Sequence, residues 1–260
     1  MFSVVHQLNP HHSPLNTPAA LVIFAKAPVP GEVKTRLCPP LTPDEASSLH
    51  GSLVLDVLEK ARGAAGMDRH LACLPAADHV FFKIMEERYG VRLLDQAGRD
   101  LGERMEGAFR TLFERGYRRV VLVGTDVPLL PTSIFAQANG LLGSHDLVLG
   151  PALDGGYYLI GLTRAVPPLF TDIPWSTDRV CAMTRAKAEA LGLKTALLPA
   201  MRDLDTIEDL LAITREAGLD KASGARKGRR PPANPALTKR TAGVLALLAE
   251  RVPERLGKDS

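Results

Sequence analysis

The chain has 260 residues, 45% of them hydrophobic and 23% charged. That is enough apolar material for one large core or two small ones, and it excludes a disordered chain. The longest apolar runs, Leu21–Ala25, Val120–Val123 and Val244–Ala249, fall far short of the roughly 20 residues a bilayer demands, so no membrane span is expected. The formal charge of +3 is unevenly placed. Residues 221–260 hold ten Lys or Arg against three Asp or Glu, a net +7, which leaves −4 for residues 1–220. Charge gives the main body no reason to bind nucleic acid.

The cysteines, Cys38, Cys73 and Cys181, are far apart and form no CxxC pair. Neither a zinc site nor a disulfide framework is indicated, and a reducing cytoplasm is the expected compartment. Residues 1–18 are polar and rich in Pro and His, without the basic start and apolar stretch of a secretory signal. They read as a disordered leader. Residues 19–220 read as one body, and residues 221–260 as a basic linker followed by a helical tail.

Along the body, short apolar runs alternate with longer amphipathic segments, the pattern of an α/β domain with a mainly parallel sheet. Ala20–Ala25 reads as a buried strand, followed by a Pro/Gly-rich loop over Lys26–Leu41. Thr42-Pro-Asp-Glu45 opens a helix, with Thr42 as N-cap, Pro43 at the first position and Glu45 closing a capping box. Strands are predicted at His70–Leu74 and Val91–Leu94, with a helix over Val80–Tyr89 between them. Leu101, Met105, Phe109 and Leu112 mark one face of the next helix. Arg119–Gly124 is apolar on both faces, as suits a central parallel strand. Pro131 starts a further helix. Asp146–Leu149, Tyr157–Leu162 and Lys194–Leu198 read as strands, and helices follow at about Thr177–Leu191 and Thr206–Ala217. In the tail, Leu237, Thr241, Val244, Leu245, Leu248 and Val252 form one apolar stripe. That helix would dock on the body or support a homo-oligomer. The preceding Arg226–Arg230 run reads as a solvated linker.

Four clusters could carry chemistry, and three of them follow predicted strands, where open α/β sheets bind ligands. In Lys26–Leu37 (KAPVPGEVKTRL), prolines stiffen the backbone, Gly31 permits a turn, and Lys34 and Arg36 could grip a diphosphate; a merely solvated basic loop reads equally well. In Gly124–Leu129 (GTDVPL), Asp126 is either a hard-metal ligand for Mg²⁺ or Mn²⁺ or a turn aspartate. Asp154-Gly155-Gly156 precedes a strand, where paired glycines let a ligand or another chain segment approach closely, or simply form a tight turn. In Arg202–Leu210 (RDLDTIEDL), Asp205 is either a second metal carboxylate or an acid favoured by the helix N-terminus that Thr206 caps.

The order of these motifs, covering about residues 20–217, resembles the nucleotide-diphospho-sugar transferase superfamily of GT-A fold. Within it, the match is to a bacterial glycosyltransferase-like group marked by FAKAPVPGxVKTRL, GTDxPxL, DGGYYLIG, WST and DxDTxxDL. The resemblance implies a Rossmann-like α/β/α sandwich. It places Lys26, Gly31, Lys34, Arg36 and Arg104 on the nucleotide and its phosphates, and Asp126 and Asp205 on Mg²⁺ or Mn²⁺. Gly155, Gly156 and Trp175 would line the sugar or acceptor side, with Asp154 as a base. The leading expectation is a glycosyltransferase using a nucleotide-sugar and an unidentified acceptor. The alternative is a nucleotidyltransferase that attacks the α-phosphate of an NTP, and a third is a non-catalytic nucleotide- or partner-binding module. Two departures pull in opposite directions. Gly124 stands where many such glycosyltransferases carry the first acid of DxD, and APVPGEVKTR replaces the GGxGxR loop of many nucleotidyltransferases.

Overall fold

The computed structural model describes residues 18–219 and 236–256. The expected leader over 1–18, all but its last residue, and the basic linker at 223–235 that opens the 221–260 tail lie outside the described residues. A seven-stranded sheet runs in the order β3-β2-β1-β4-β6-β5-β7. Its strands are β1 (Ala19–Lys26), β2 (Met67–Leu74), β3 (Arg92–Asp95), β4 (Arg119–Val123), β5 (Leu147–Pro151), β6 (Tyr157–Leu162) and β7 (Thr195–Leu197). All are parallel except β6, which runs antiparallel to both β4 and β5. The apolar run expected as a central parallel strand is therefore parallel only on its β1 side.

β1 shows why the sheet is buried on both faces. Leu21, Ile23 and Ala25 face one apolar cluster, and Ala20, Val22 and Phe24 the other, as period-two side chains must. The first face is covered by α1 (Pro43–Ala61), α2 (Val80–Tyr89) and α4 (Ile134–Leu141), the second by α3 (Leu101–Glu114) and α5 (Val180–Ala190). The expected capping box at the start of α1 is present: Thr42 accepts from the Glu45 N–H, and the Glu45 carboxylate accepts from the Thr42 N–H. Pro131 sits three residues ahead of α4, in a turn whose Ile134 N–H bonds the Pro131 carbonyl at 3.1 Å.

A third apolar cluster lies outside α1. It joins α1 to α6 (Ile207–Glu216) and α7 (Lys239–Leu256), with Leu245, Leu248 and Val252 of the tail helix buried in it. The stripe expected either on the body or in a subunit interface is thus spent within the chain. Among the described residues, no helix is long and apolar enough to cross a membrane.

Two features of this topology place the site. The chain leaves β1 toward β2 and β3 on one side and returns to β4 on the other, so a crevice opens between the carboxyl ends of β1 and β4. Because β6 is antiparallel, the residues that precede it lie at the same edge as the residues that follow β1 and β4.

Candidate active site

A cavity of about 680 Å³ occupies that edge, and all four sequence clusters contribute to its lining. Lys26, Lys34 and Arg36 come from the loop after β1, Asp126 from the loop after β4, Asp154 and Gly156 from the turn before β6, and Asp205 from the approach to α6. Trp175 forms part of the wall. Gly31, Arg104 and Gly155 do not line it; Arg104 turns its Nε–H toward the Gly98 carbonyl at 3.3 Å.

Lys34 sits at the centre, and its surroundings differ from those of a free phosphate grip. Its backbone is left-handed (φ 51°), a conformation that costs a non-glycine residue about 1–2 kcal/mol. Leu37, fully buried three residues on, pins the turn through its N–H to the Lys34 carbonyl at 3.0 Å. The ammonium is almost completely buried. It donates to the Leu204 carbonyl at 2.6 Å and lies 2.8 Å from Asp126 Oδ1 and 3.0 Å from Asp205 Oδ1. Two of its three donors are spent in hydrogen bonds to Leu204 and Asp205, and Asp126 is held as an ion pair. Burial presses the Lys34 pKa down, but the two carboxylates more than offset it, so the group stays charged. For Asp126, burial pushes upward and the Lys34 ammonium, above all, overcomes it, leaving the carboxyl below its usual range. Its Oδ1 is buried while the side chain as a whole keeps 44% of its exposure, so Oδ2 is the oxygen that faces the cavity.

Asp205 has a different set of neighbours. One oxygen each from Asp154, Asp203 and Asp205 lies within 4.8 Å of the others. Asp203 and Asp205 flank Leu204, whose side chain is buried in the third apolar cluster while both carboxylates line the cavity. Burial, followed by repulsion from Asp154 and Asp205, pushes the Asp203 pKa up to about 6. Three hard oxygen donors that repel one another suit a divalent cation of the Mg²⁺ or Mn²⁺ type. Asp209, by contrast, is committed to capping α6: it accepts from the Thr206 N–H at 3.0 Å and pairs with Arg202. Of the two acids expected on the metal, Asp205 sits in the acidic trio and Asp126 stands across Lys34 from it, with Oδ2 toward the cavity.

The DGG turn is built around its aspartate, whose Oδ1 accepts from the Gly156 N–H at 2.8 Å. Gly155 is left-handed (φ 91°), and a Cβ there would fall on the Asp178 backbone. The close approach allowed by this glycine is made by another segment of the chain. Cys181 donates its N–H to the Gly155 carbonyl at 2.9 Å, and the strap over residues 172–179 crosses above. The other end of the strap rests on α3. Trp175 packs on Gly102, where any side chain would collide with the indole, and meets Tyr157 edge-on at 6.5 Å.

Sequence reasoning left several lining groups out of the site. Asp203 was legible from the Asp203-x-Asp205 spacing. His50, five per cent exposed on α1, puts Nε2 3.0 Å from the Lys26 carbonyl; burial keeps its pKa low and the ring neutral. Gln96, after β3, donates both amide hydrogens to the Ala25 and Ala72 carbonyls at 3.1 and 2.8 Å. No sequence pattern announces either of these.

Against known proteins, a family described as uncharacterized proteins conserved in bacteria (DUF2064) matches residues 57–177. A 3-phospho-D-glycerate guanylyltransferase of Phenylobacterium zucineum (strain HLK1) is 32% identical over 192 residues, covering 70% of this chain and 84% of that protein. A crystal structure from Desulfovibrio desulfuricans G20, described as a nucleotide-diphospho-sugar transferase, aligns at a TM-score of 0.76 and 31% identity over 91% of this chain and 97% of the other. The chain belongs to the nucleotide-diphospho-sugar transferase superfamily. It is a transferase with an α/β/α sandwich of the GT-A type. The same fold, at 11% identity and a TM-score of 0.54, is seen in the 4-diphosphocytidyl-2C-methyl-D-erythritol synthase of Anaerococcus prevotii DSM 20548, over 77% of this transferase and 96% of that chain.

Proposed function

We propose that the protein is a nucleotidyltransferase that moves a guanylyl group from GTP to a phosphorylated small acid and releases pyrophosphate. The observation that carries the proposal is the guanylyltransferase relative, 32% identical over 84% of its own length. Two further observations favour it over glycosyl transfer. The acidic pair of this site is Asp203 and Asp205, on the approach to α6. The loop after β4 offers one acid, Asp126, with Gly124 where a nucleotide-sugar enzyme often carries another.

In this reading the acceptor's phosphate oxygen attacks the α-phosphorus. The α–β P–O bond breaks, and its electron pair leaves with pyrophosphate. Phosphoryl-type transfer needs positioning and charge neutralisation more than covalent help. Asp203, Asp205 and Asp154 would hold a divalent cation, with Asp126 Oδ2 as a further ligand on the cavity side. That cation would supply positive charge to the triphosphate and the departing pyrophosphate. Arg36, 69% exposed and 3.7 Å from Asp205, and Lys26 at the rim would bind phosphate oxygens directly. Lys34 would act one layer back, holding Asp126 and Asp205 in place. Trp175 and the strap, seated against the body at Gly155 and Gly102, would line the acceptor side.

The test is a panel assay with Mg²⁺ or Mn²⁺, offering each NTP with phosphorylated three-carbon acids, and separately nucleotide-sugars. Pyrophosphate released from GTP only when an acceptor is present supports the proposal. Nucleoside diphosphate released from a nucleotide-sugar, with no pyrophosphate from any NTP, would instead establish glycosyl transfer.

A further inference from the structure

We infer that the C-terminal helix α7 is a brace for the acidic cluster, acting through Leu204 as a positioning residue. Leu204 is fully buried and ties three parts of the molecule together. Its N–H donates to the Asp126 carbonyl at 2.8 Å, and its carbonyl accepts from Lys34 Nζ at 2.6 Å. Its side chain enters the cluster that contains Leu245, Leu248 and Val252 of α7. On either side of it stand Asp203 and Asp205. Both acids adjoin this one buried anchor in close-packed surroundings, so the seat of Leu204 sets where the two carboxylates aim. Leu37, beside Arg36, is buried in the same cluster, so the basic loop shares the support.

The helix is fixed by polar contacts as well as apolar ones. Thr238 donates to Asp56 Oδ1 at 2.5 Å, and Asp56 is itself buried in α1. Arg251 lies 3.1 Å from Glu45, the residue that closes the α1 capping box immediately after the basic loop. None of the α7 residues named here lines the cavity. The helix therefore acts on the site through packing.

The role of Leu204 as a knot rests on geometry alone; its effect on metal rests on the function proposed above. The experiment reads the two separately. Hydrogen exchange of the Leu204 amide and Mn²⁺ affinity are measured on the full chain for Leu248→Ala, with Leu248→Met as the conservative variant. Leu112→Ala, in the cluster across the sheet, serves as a control of comparable core damage. Leu248→Ala is expected to speed Leu204 exchange at least tenfold and weaken Mn²⁺ binding at least threefold, while Leu112→Ala moves neither and Leu248→Met restores both. If Leu248→Ala fails to fold, the smaller truncation Val252→Ala takes its place. Unchanged Leu204 exchange, or an equal rise in Leu112→Ala, would overturn the brace. If the wild type takes up no Mn²⁺ but Leu204 exchange responds as stated, the metal reading fails and the brace stands.

Discussion

Lys34 and Asp126 form a 2.8 Å ion pair across the crevice between β1 and β4, with the ammonium almost wholly buried and the carboxylate open on one oxygen. The same ammonium reaches Asp205 at 3.0 Å, so one cation links the loops that bear both acids.

Removing that cation leaves Asp126 without its ion pair and Asp205 with only the exposed Arg36 at 3.7 Å. Breaking a fully buried pair costs about 3–5 kcal/mol, and the 44% and 36% exposure of the two acids reduces that figure. Lys34→Met is expected to lose roughly 2 kcal/mol in urea denaturation, together with most of the activity. A stability within 0.5 kcal/mol of wild type, on the order expected for a surface substitution, would show that Lys34 does not hold the loops together.

Trp175 is the only tryptophan in the chain, so fluorescence reports on the strap directly. Gly102→Ala places a methyl group where the indole lies, and Gly155→Ala places one on the Asp178 backbone while also straining a left-handed φ. Both variants are expected to shift Trp175 emission to the red and to raise KM for the acceptor more than for GTP. Emission identical to wild type in both would show that the glycines do not seat the strap.

The raised pKa of Asp203, about 6, gives metal binding a pH signature. A carboxyl whose folded pKa lies above its unfolded value of about 3.9 binds extra protons in the folded state, so its ionisation opposes folding as pH rises from about 4 to 6. A bound cation must displace that proton. Mn²⁺ affinity is therefore expected to fall steeply below about pH 6, and Asp203→Asn should flatten the profile while weakening binding at pH 8. A flat profile in the wild type would remove Asp203 from the ligand set.

A second pH effect arises within the sheet, on an interior strand away from the cavity lining. His70, wholly buried on β2 against Tyr117, is pushed down to about 4 by burial, with help from Arg92 and Arg115. The unfolded chain protonates first, so stability is lost as pH falls from about 6.5 toward 4, by about 3 kcal/mol in total. Denaturation midpoints across that range should show the loss, and His70→Gln should reduce it. The same slope in both proteins would assign the effect to other groups.

Much of the fold was legible because it rests on local chemistry. The Thr42–Glu45 box, the Val80–Tyr89 helix and the Tyr157–Leu162 strand follow from caps and apolar period, and the structure places them as expected. The site was legible as four clusters because three of them adjoin strand ends and the fourth leads into a capped helix. The partners within it were not, since they depend on contacts between distant segments. Nothing local says that Lys34 bonds Leu204 and Asp205 and pairs with Asp126. Nor does anything local say that the space at Gly155 belongs to Asp178, or that Leu204 and the tail helix share one buried cluster. The stripe on α7 shows the same limit: its period gives the helix, while its covering surface follows from the packing of α1 and α6.

The most direct test of the central claim identifies the bond that is made. Protein, GTP, Mg²⁺ and a phosphorylated three-carbon acid are incubated together and followed by ³¹P NMR. Nucleotidyl transfer predicts free pyrophosphate together with a new pair of coupled resonances from a diphosphate linking guanosine to the acceptor, both lost in Asp205→Asn. GTP left intact with every acceptor, while a nucleotide-sugar is turned over to nucleoside diphosphate, would contradict it.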